Sequence, residues 1–304
     1  MPEISLAIVT WNSKEHLMRC LSSIRDNVKT IGYEVVVVDN GSTDESDEMV
    51  ASDYPEVRLV RNGANLGFTK GINQAIKLCE GDFVLILNDD IVVLPGAVEL
   101  MLKKMKSSPD ISVLACGLLN SDGTPQHFCR RFPTITTALF QNTFLQRLFP
   151  ENKVLRDLYM KDWPHNDFRE VDQPPGCCLM VRGDVIKKAG LFDESMFLFF
   201  SDVDWCLRVK KAGFKIFFTP EANVIHYHGV ATKKISDPGL IWHKDRFYYY
   251  RKHHGLFSVA VIKLELAADF LLRTIEMLIY NLLGKTPFKE TAHNVRKFYR
   301  ILKS

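Results

Sequence analysis

Between Ser5 and Leu87 the chain alternates four short apolar runs with helical patterns, and that alternation leaves few folds open to it. Ser5–Thr10 (S-L-A-I-V-T), Tyr33–Val38, Val57–Val60 and Phe83–Leu87 are rich in β-branched residues, the pattern of strands buried on both faces. Lys14–Asn27 carries Leu17, Leu21 and Ile24 on one helical stripe, and Lys70–Leu78 reads as another helix. Between them the loop Asp39–Asp44 turns into a helix, with Ser42 or Thr43 available as its cap. Strand and helix alternating in this way predict an α/β fold with a mainly parallel central sheet and helices on both faces. In such sheets ligands sit at the carboxyl ends of the strands. Thr10-Trp11-Asn12, Asp39 to Asp44, Arg61-Asn62 and Asn88-Asp89-Asp90 all fall on that edge, so four distant polar clusters should converge on one cleft.

The last of these clusters carries the most chemistry. Phe83–Leu87 runs into Asn88, Asp89 and Asp90 with no turn residue between. Two adjacent carboxylates directly after a buried strand are costly unless something positive sits against them. Mg2+ or Mn2+ bound together with a phosphorylated ligand meets that need, since both take oxygen donors and keep places for phosphate and water. A solvated loop or an acidic helix N-terminus is the other reading of the triplet alone.

Two nucleotide-binding classes are excluded by spacing. The first strand ends in Thr10-Trp11-Asn12 and not in G-x-G-x-x-G, and no P-loop is present. The glycine cluster Asn62–Asn73 (N-G-A-N-L-G-F-T-K-G-I-N) fits neither motif; it serves a phosphate or sugar, or is an ordinary Gly-rich turn. A net charge of +3 over 304 residues is too close to neutral to argue for nucleic acid. The seven cysteines are odd in number and form no C-x-x-C pair, which predicts reduced thiols and a cytoplasmic setting. No basic region with a long apolar segment precedes Ile4, and no uncharged run reaches transmembrane length.

Residues 129–175 lose the regularity and read as an insertion, either an arm for an acceptor or an excursion that packs on the domain. Pattern returns with a strand at Cys177–Arg182, a helix from Asp184, and a helix whose first turn holds Asp202 and Asp204. Those aspartates are structural caps, or one of them is a general base held at the cleft. Lys215–Thr219 and Asn223–His226 read as two further strands; His226 is a hydrogen-bonded core histidine or, given a metal at Asp90, a second donor to it. Beyond Gly255, Leu256 to Leu283 is an apolar helical pattern with Glu265, Asp269, Arg273 and Glu276 on one narrow face, and Lys285, Lys289, Arg296, Lys297, Arg300 and Lys303 follow. Packing on the body of the protein, a homodimer interface through 256–283, or contact with an anionic membrane surface are its open roles.

Taken together, V-T-W-N, V-V-V-D-N-G-S-T-D, N-x-G-F-x-x-G-x-N from Asn65, L-N-D-D, S-D-V-D-W-C-L-R, R-R-F-P-T, H-N-D-F-R-E-V-D, G-L-F-D-E and R-K-H-H-G resemble the family 2 glycosyltransferases of GT-A fold, and within them the bacterial rhamnosyltransferase-like branch. The resemblance covers Ile4 to about Gly255, and implies a GT-A domain over 1–255 with a helical extension over 256–304. It implies that Thr10, Asn12 and Asp39 line the nucleoside pocket, with Asp39 accepting a hydrogen bond from the base. Asn65, Gly67, Phe68 and Asn73 would shape the sugar-nucleotide cleft, together with Asn88 and Asp89. Asp90 matches the last carboxylate of the family's metal motif, His226 the histidine that completes it, and Asp202 the general base. Two positions depart from the pattern: Asn88 stands where many members have Asp, and Ser201 replaces the Glu before the base. The first points to weaker metal retention, and the second to a lower pKa for Asp202 than in an acid–acid pair.

The expected activity is inverting transfer of a sugar, with dTDP-L-rhamnose the best donor on resemblance and dTDP- or UDP-sugars the donor class. The expected acceptor is a hydroxyl of a glycan or lipid-linked glycan at the cytoplasmic membrane face. A sugar-nucleotide nucleotidyltransferase and a non-catalytic nucleotide- or glycan-binding module are the alternatives. The first lacks its Gly-rich basic loop at Trp11-Asn12-Ser13, and the second is opposed by intact metal and base positions.

Overall fold

A computed structural model describes residues 1–229, 232–282 and 298–303. The chain divides into two compact units, Met1–Phe132 with Trp163–Ser236, and Pro133–Asp162 with Asp237–Ser304.

In the first unit β1 (Ile4–Thr10), α1 (Lys14–Asn27), β2 (Tyr33–Asp39), α2 (Ser46–Asp53), β3 (Arg58–Arg61), α3 (Phe68–Leu78) and β4 (Phe83–Asn88) follow in turn. The four strands pair in parallel in the order β3-β2-β1-β4, as the alternation predicts. Ile8, Val36, Val37, Leu85 and Ile86 are fully buried because helices cover both faces of the sheet. Helix α1 buries Leu17, Cys20, Leu21 and Ile24. Register sets the polar edge: Thr10 lies opposite Asp39, Val9 opposite Asn88, and Asp39 opposite Arg61.

Helix α2 begins at Ser46, later than a cap at Ser42 or Thr43 would place it. Those residues are committed elsewhere. Ser42 N–H donates to Asp39, Thr43 N–H to Asn12, and Asp44 accepts from Lys14 N–H, so the loop ties the end of β2 to the end of β1.

Beyond β4 the sheet continues through elements the sequence pattern did not single out: β5 (Ile91–Val93), α4 (Ala97–Ser107), β6 (Val113–Leu119) and β7 (Pro125–Gln126). The second unit then forms α5 (Ile135–Phe140), α6 (Phe144–Leu148) and α7 (Lys153–Leu158). The first unit resumes with β8 (Arg169–Glu170), β9 (Cys178–Arg182), α8 (Gly183–Ala189), α9 (Ser201–Lys211) and β10 (Ile216–His226). Strand β9 runs antiparallel to both β4 and β6, and β10 is parallel to β6 but antiparallel to β5, so the completed sheet is mixed. The two strands expected at 215–219 and 223–226 are one. Its register slips between Thr219 and Asn223, where Pro220 cannot donate to the ladder.

In the second unit α10 (Pro238–Leu282) is broken at Gly255, whose φ of 79° and ψ of 174° are not helical. Gly255, where the resemblance ends the catalytic domain, is a kink inside this unit. Arg246 is fully buried between the rings of Trp242 and Tyr250 and donates to the Ala138 carbonyl. The helix expected over 256–283 is present to Leu282; Leu283, Lys285, Lys289, Arg296 and Lys297 lie outside the described residues. Among the described residues no helix is long and apolar enough to cross a membrane.

Candidate active site

Strand β4 delivers Asn88 to the sheet edge, and Asp89 and Asp90 follow it, both buried. Burial pushes the Asp89 carboxyl up, the Asp90 charge adds to it, and the hydroxyls of Thr10 and Ser13 pull back, leaving it at about 7. The Asp90 backbone accepts from Tyr227 N–H at 3.0 Å, which sets the end of β10 against the start of β5. In that register His226 lies opposite Ile91, and its Nε2 stands 3.6 Å from Asp90 Oδ1.

The protonation of this pair follows from its neighbours. Gln126 Nε2 donates to Asn120 Oδ1 at 2.7 Å and to the His226 carbonyl at 2.8 Å, which orients the amide. Gln126 Oε1, at 2.9 Å from His226 Nδ1, must therefore accept from it. Burial lowers the His226 pKa, against the pull of Asp90, so the ring is neutral with its lone pair on Nε2. A lone pair and a carboxylate oxygen thus face each other, and that Asp90 oxygen is buried with no hydrogen-bond partner. An imidazole nitrogen and a bare carboxylate oxygen converging in this way are donors that fit a divalent metal. Among the described residues no cluster of three or more His, Cys, Asp and Glu forms a site, so a metal here would need its other donors from ligand oxygens and water.

Asp39 is buried at the end of β2. Its Oδ2 accepts from Gly41 N–H and Ser42 N–H, each at 3.0 Å, while Oδ1 is buried without a partner. Asn12, held at φ 51°, accepts from Thr43 N–H at 2.7 Å and frames the same loop. Lys234 Nζ donates to the Asn12 carbonyl, and its charge reaches Asp89.

The second acidic centre stands on α9. Asp202 Oδ2 accepts from Gln173 Nε2 at 3.1 Å and from Gly176 N–H at 3.3 Å, and Oδ1 accepts from Val203 N–H at 2.9 Å. Burial raises its carboxyl above the ordinary range, while the Val203 N–H and the Arg130 guanidinium hold it back. A Cβ on Gly176 would lie 2.8 Å from the Asp202 Cβ, so the close approach requires glycine there. Asp204, the other candidate in that turn, is structural: it pairs with Arg208 at 2.8 Å.

The two acidic centres are joined through backbone. Gly176 N–H holds Asp202; the next residue, Cys177, accepts from Asn88 N–H at 2.9 Å, two residues before Asp90. The Cys177 thiol, already raised by burial, is raised further by both Asp90 and Asp202.

Asn65 Oδ1 accepts from Gly67 N–H, and Phe68 N–H donates to the Phe197 carbonyl at 2.9 Å. Asn73 Nδ2 donates to the Phe192 carbonyl and to Glu194, and Asn73 Oδ1 accepts from Phe192 N–H. Both ends of Asn73 are therefore committed to the loop that leads into α9, and it clamps that loop. Gln126, Gln173 and Lys234 were not singled out in the sequence; two are glutamines in irregular segments with no motif, and Lys234 has only its nearness in sequence to His226 as a signal.

A mannosyltransferase from Pyrobaculum calidifontis, solved with GDP-Man and Mn2+, matches at TM-score 0.52 and 16% identity, covering 99% of this chain and 86% of that one. S. aureus TarS in complex with UDP matches at TM-score 0.52 and 18% identity over 87% of this chain and 65% of that one. The fold they share with this chain is GT-A, the fold of nucleotide-sugar transferases. The profile of Glycosyl transferase family 2 matches residues 5–183, and the chain belongs to that family. It is also 27% identical to an N-acetylglucosaminyl-diphospho-decaprenol L-rhamnosyltransferase of Mycobacterium tuberculosis over 285 residues, 89% of this chain and 91% of that protein.

Proposed function

We propose that the first unit transfers a sugar from a nucleoside diphosphate donor to an acceptor hydroxyl with inversion, with residues 256–304 as a helical extension beyond the catalytic part. The observation that carries this reading is the buried Asp90–His226 approach, 3.6 Å between Oδ1 and Nε2, linked through Asn88, Cys177 and Gly176 to the separate carboxylate of Asp202. Asp90 and His226 would hold Mg2+ or Mn2+, which when bound would supply positive charge to a nucleoside diphosphate leaving group. The protein does the rest. Asp39 Oδ1, already stripped of partners, accepts the N–H of the base, and Thr10 and Asn12 frame that pocket. Lys234, beside Asn12 and Asp89, gives the diphosphate a second cation. Asn65, Gly67, Phe68 and Asn73 hold the loop before α9 and so place Asp202. As the acceptor oxygen bonds to the anomeric carbon and the bond to phosphate breaks, Asp202 takes the hydroxyl proton. Its raised pKa favours that transfer and also puts the acid limb of activity above the ordinary carboxylate range.

Likeness to the decaprenol-linked L-rhamnosyltransferase supports dTDP-L-rhamnose as donor and a lipid-linked glycan as acceptor, which would bring the protein to the cytoplasmic face of a membrane. Asp202→Asn should lower transfer about a thousandfold while donor affinity, read by thermal shift with Mn2+, stays unchanged. Transfer at near wild-type rate by that variant removes Asp202 as the base. Absence of nucleoside diphosphate release with any sugar donor removes the reading itself.

A further inference from the structure

Among the described residues three donors hold Asp202, and they are spread unevenly over its two oxygens. Oδ2 accepts from Gln173 Nε2 at 3.1 Å and from Gly176 N–H at 3.3 Å, which occupies both of its lone pairs, while Oδ1 accepts from Val203 N–H alone, at 2.9 Å. The Gln173 amide has one orientation open to it. Its nitrogen stands between two acceptors, the Asp202 carboxylate and the Pro174 carbonyl at 3.2 Å, and an oxygen turned there would face both without a hydrogen to share. The backbone of that residue is pinned as well: Gln173 N–H donates to the Arg130 carbonyl at 3.0 Å, and Arg130 N–H to the Gln173 carbonyl at 2.8 Å. Gln173 is buried, whereas Asp202 keeps part of its surface open.

This distribution decides where a proton is accommodated. On Oδ2 it would point at two N–H groups, donor against donor. On Oδ1 it takes the lone pair that Val203 leaves, and Oδ2 goes on accepting from both donors as the carbonyl oxygen of the acid. We propose that Gln173 is a positioning residue for the transfer reaction: its amide, with Gly176 N–H, fills Oδ2 and so makes Oδ1 the atom that takes the acceptor's proton. As the acceptor O–H bond breaks, its hydrogen passes to Oδ1, the oxygen bonds to the anomeric carbon, and the electron pair of the anomeric C–O bond leaves with the diphosphate. The role rests on the reading of Asp202 as the base. A carboxamide suits it because it donates without titrating. The other groups that act on Asp202 or feel its charge are the Arg130 guanidinium and the thiols of Cys177 and Cys206, both held protonated by burial.

The test replaces Gln173 with Met, which fills a similar volume without a donor, and with Glu, which keeps the shape and sets an acidic group against Oδ2. Aspartate carboxyl carbons labelled with 13C report titration in the full chain, the Asp202 signal being the one missing from Asp202→Asn. A carboxylate that loses a donor gains basicity, so Asp202 should titrate at higher pH in Gln173→Met than in the wild type, and at higher pH still in Gln173→Glu. Transfer needs the carboxylate and is lost as pH falls, so the acid limb of kcat, measured with dTDP-L-rhamnose, should move up in the same order. On the plateau kcat should fall about tenfold in Gln173→Met with donor KM unchanged. A folded variant that keeps the wild-type midpoint overturns the proposal, and so does a lower kcat with an unmoved acid limb, since a side chain that only packs would give either result. Transfer retained by Asp202→Asn, or no nucleoside diphosphate release with any donor, defeats the transferase reading and this role with it. Wild-type behaviour of both Gln173 variants beside an inactive Asp202→Asn defeats this role alone.

Discussion

Each unit buries a pair of neighbouring carboxylates, and the two pairs differ in how Asp269 and Asp90 are met. In the second unit Asp269 is met by Arg147 and Arg273, and Glu265 one turn earlier lies within the field of Arg246. In the first, Asp90 Oδ1 stands 3.6 Å from His226 Nε2, and Asp89 has the hydroxyls of Thr10 and Ser13 and the charge of Lys234. A buried carboxylate answered by the chain's own guanidinium holds the fold together. One left facing another electron pair is arranged for something that arrives from outside, and its cost to stability is the mark of a site.

The sharpest way to break this contrast is to neutralise one member of each pair. Asp90→Asn should reduce transfer about a thousandfold and abolish the rise in Tm caused by Mn2+, with stability in chelator unchanged or higher because an uncompensated charge is gone. Asp269→Asn should leave metal-dependent stabilisation intact. If both variants lost metal response equally, or neither did, the distinction between the pairs would fail.

The next effect is geometric. Gly176→Ala places a methyl group 2.8 Å from the Asp202 Cβ, so it should displace the base and lower kcat about a hundredfold with little change in donor KM. A parallel loss of donor affinity would mean that Gly176 shapes the donor site instead.

Asp269→Asn should also cost about 2 kcal/mol of stability, the buried-pair penalty discounted for two half-exposed guanidiniums, read as a lower midpoint in denaturant.

The smallest effect is in pH. Burial, aided by the Asp269 charge, raises Glu265 to about 7, so its neutral form is the one the folded unit accommodates. Its contribution to stability is complete below the ordinary carboxylate range and is lost as pH rises through about 7. Glu265→Gln should match the wild type near pH 4 and exceed it near pH 8 by about 2 °C in Tm. No divergence with pH would place Glu265 in a better-solvated setting than its burial implies.

Much of the first unit is legible in its residues. The periodicities of β1 to β4 and of α1 define both elements and faces, because a run of β-branched residues or a 3.6-residue stripe is a local property. The acidic clusters at Asp89-Asp90 and Asp202 stand out for the same reason, each interrupting an apolar stretch. Partner choice is less legible. Nothing local in Gln126 says that it orients His226, or in Gln173 that it holds Asp202, since those contacts span 100 and 29 residues. Nor does anything local in Asn73 say that it clamps the loop at Phe192, since a polar residue in a glycine-rich turn serves a ligand or the next loop equally well.

The polarity pattern of 256–282 shows the same division. Sequence by itself determined that one side of this helix is acidic and the other apolar, as it determined four parallel strands and two separated carboxylate centres, because each follows from spacing along one segment. Which side faces inward depended on Arg147 and Arg246 meeting the acidic one, and the setting of the bare Asp90 oxygen depended on a histidine from another strand turning its Nε2 toward it. Those outcomes belong to tertiary structure, since burial and pairing are set by groups that only the folded chain brings together.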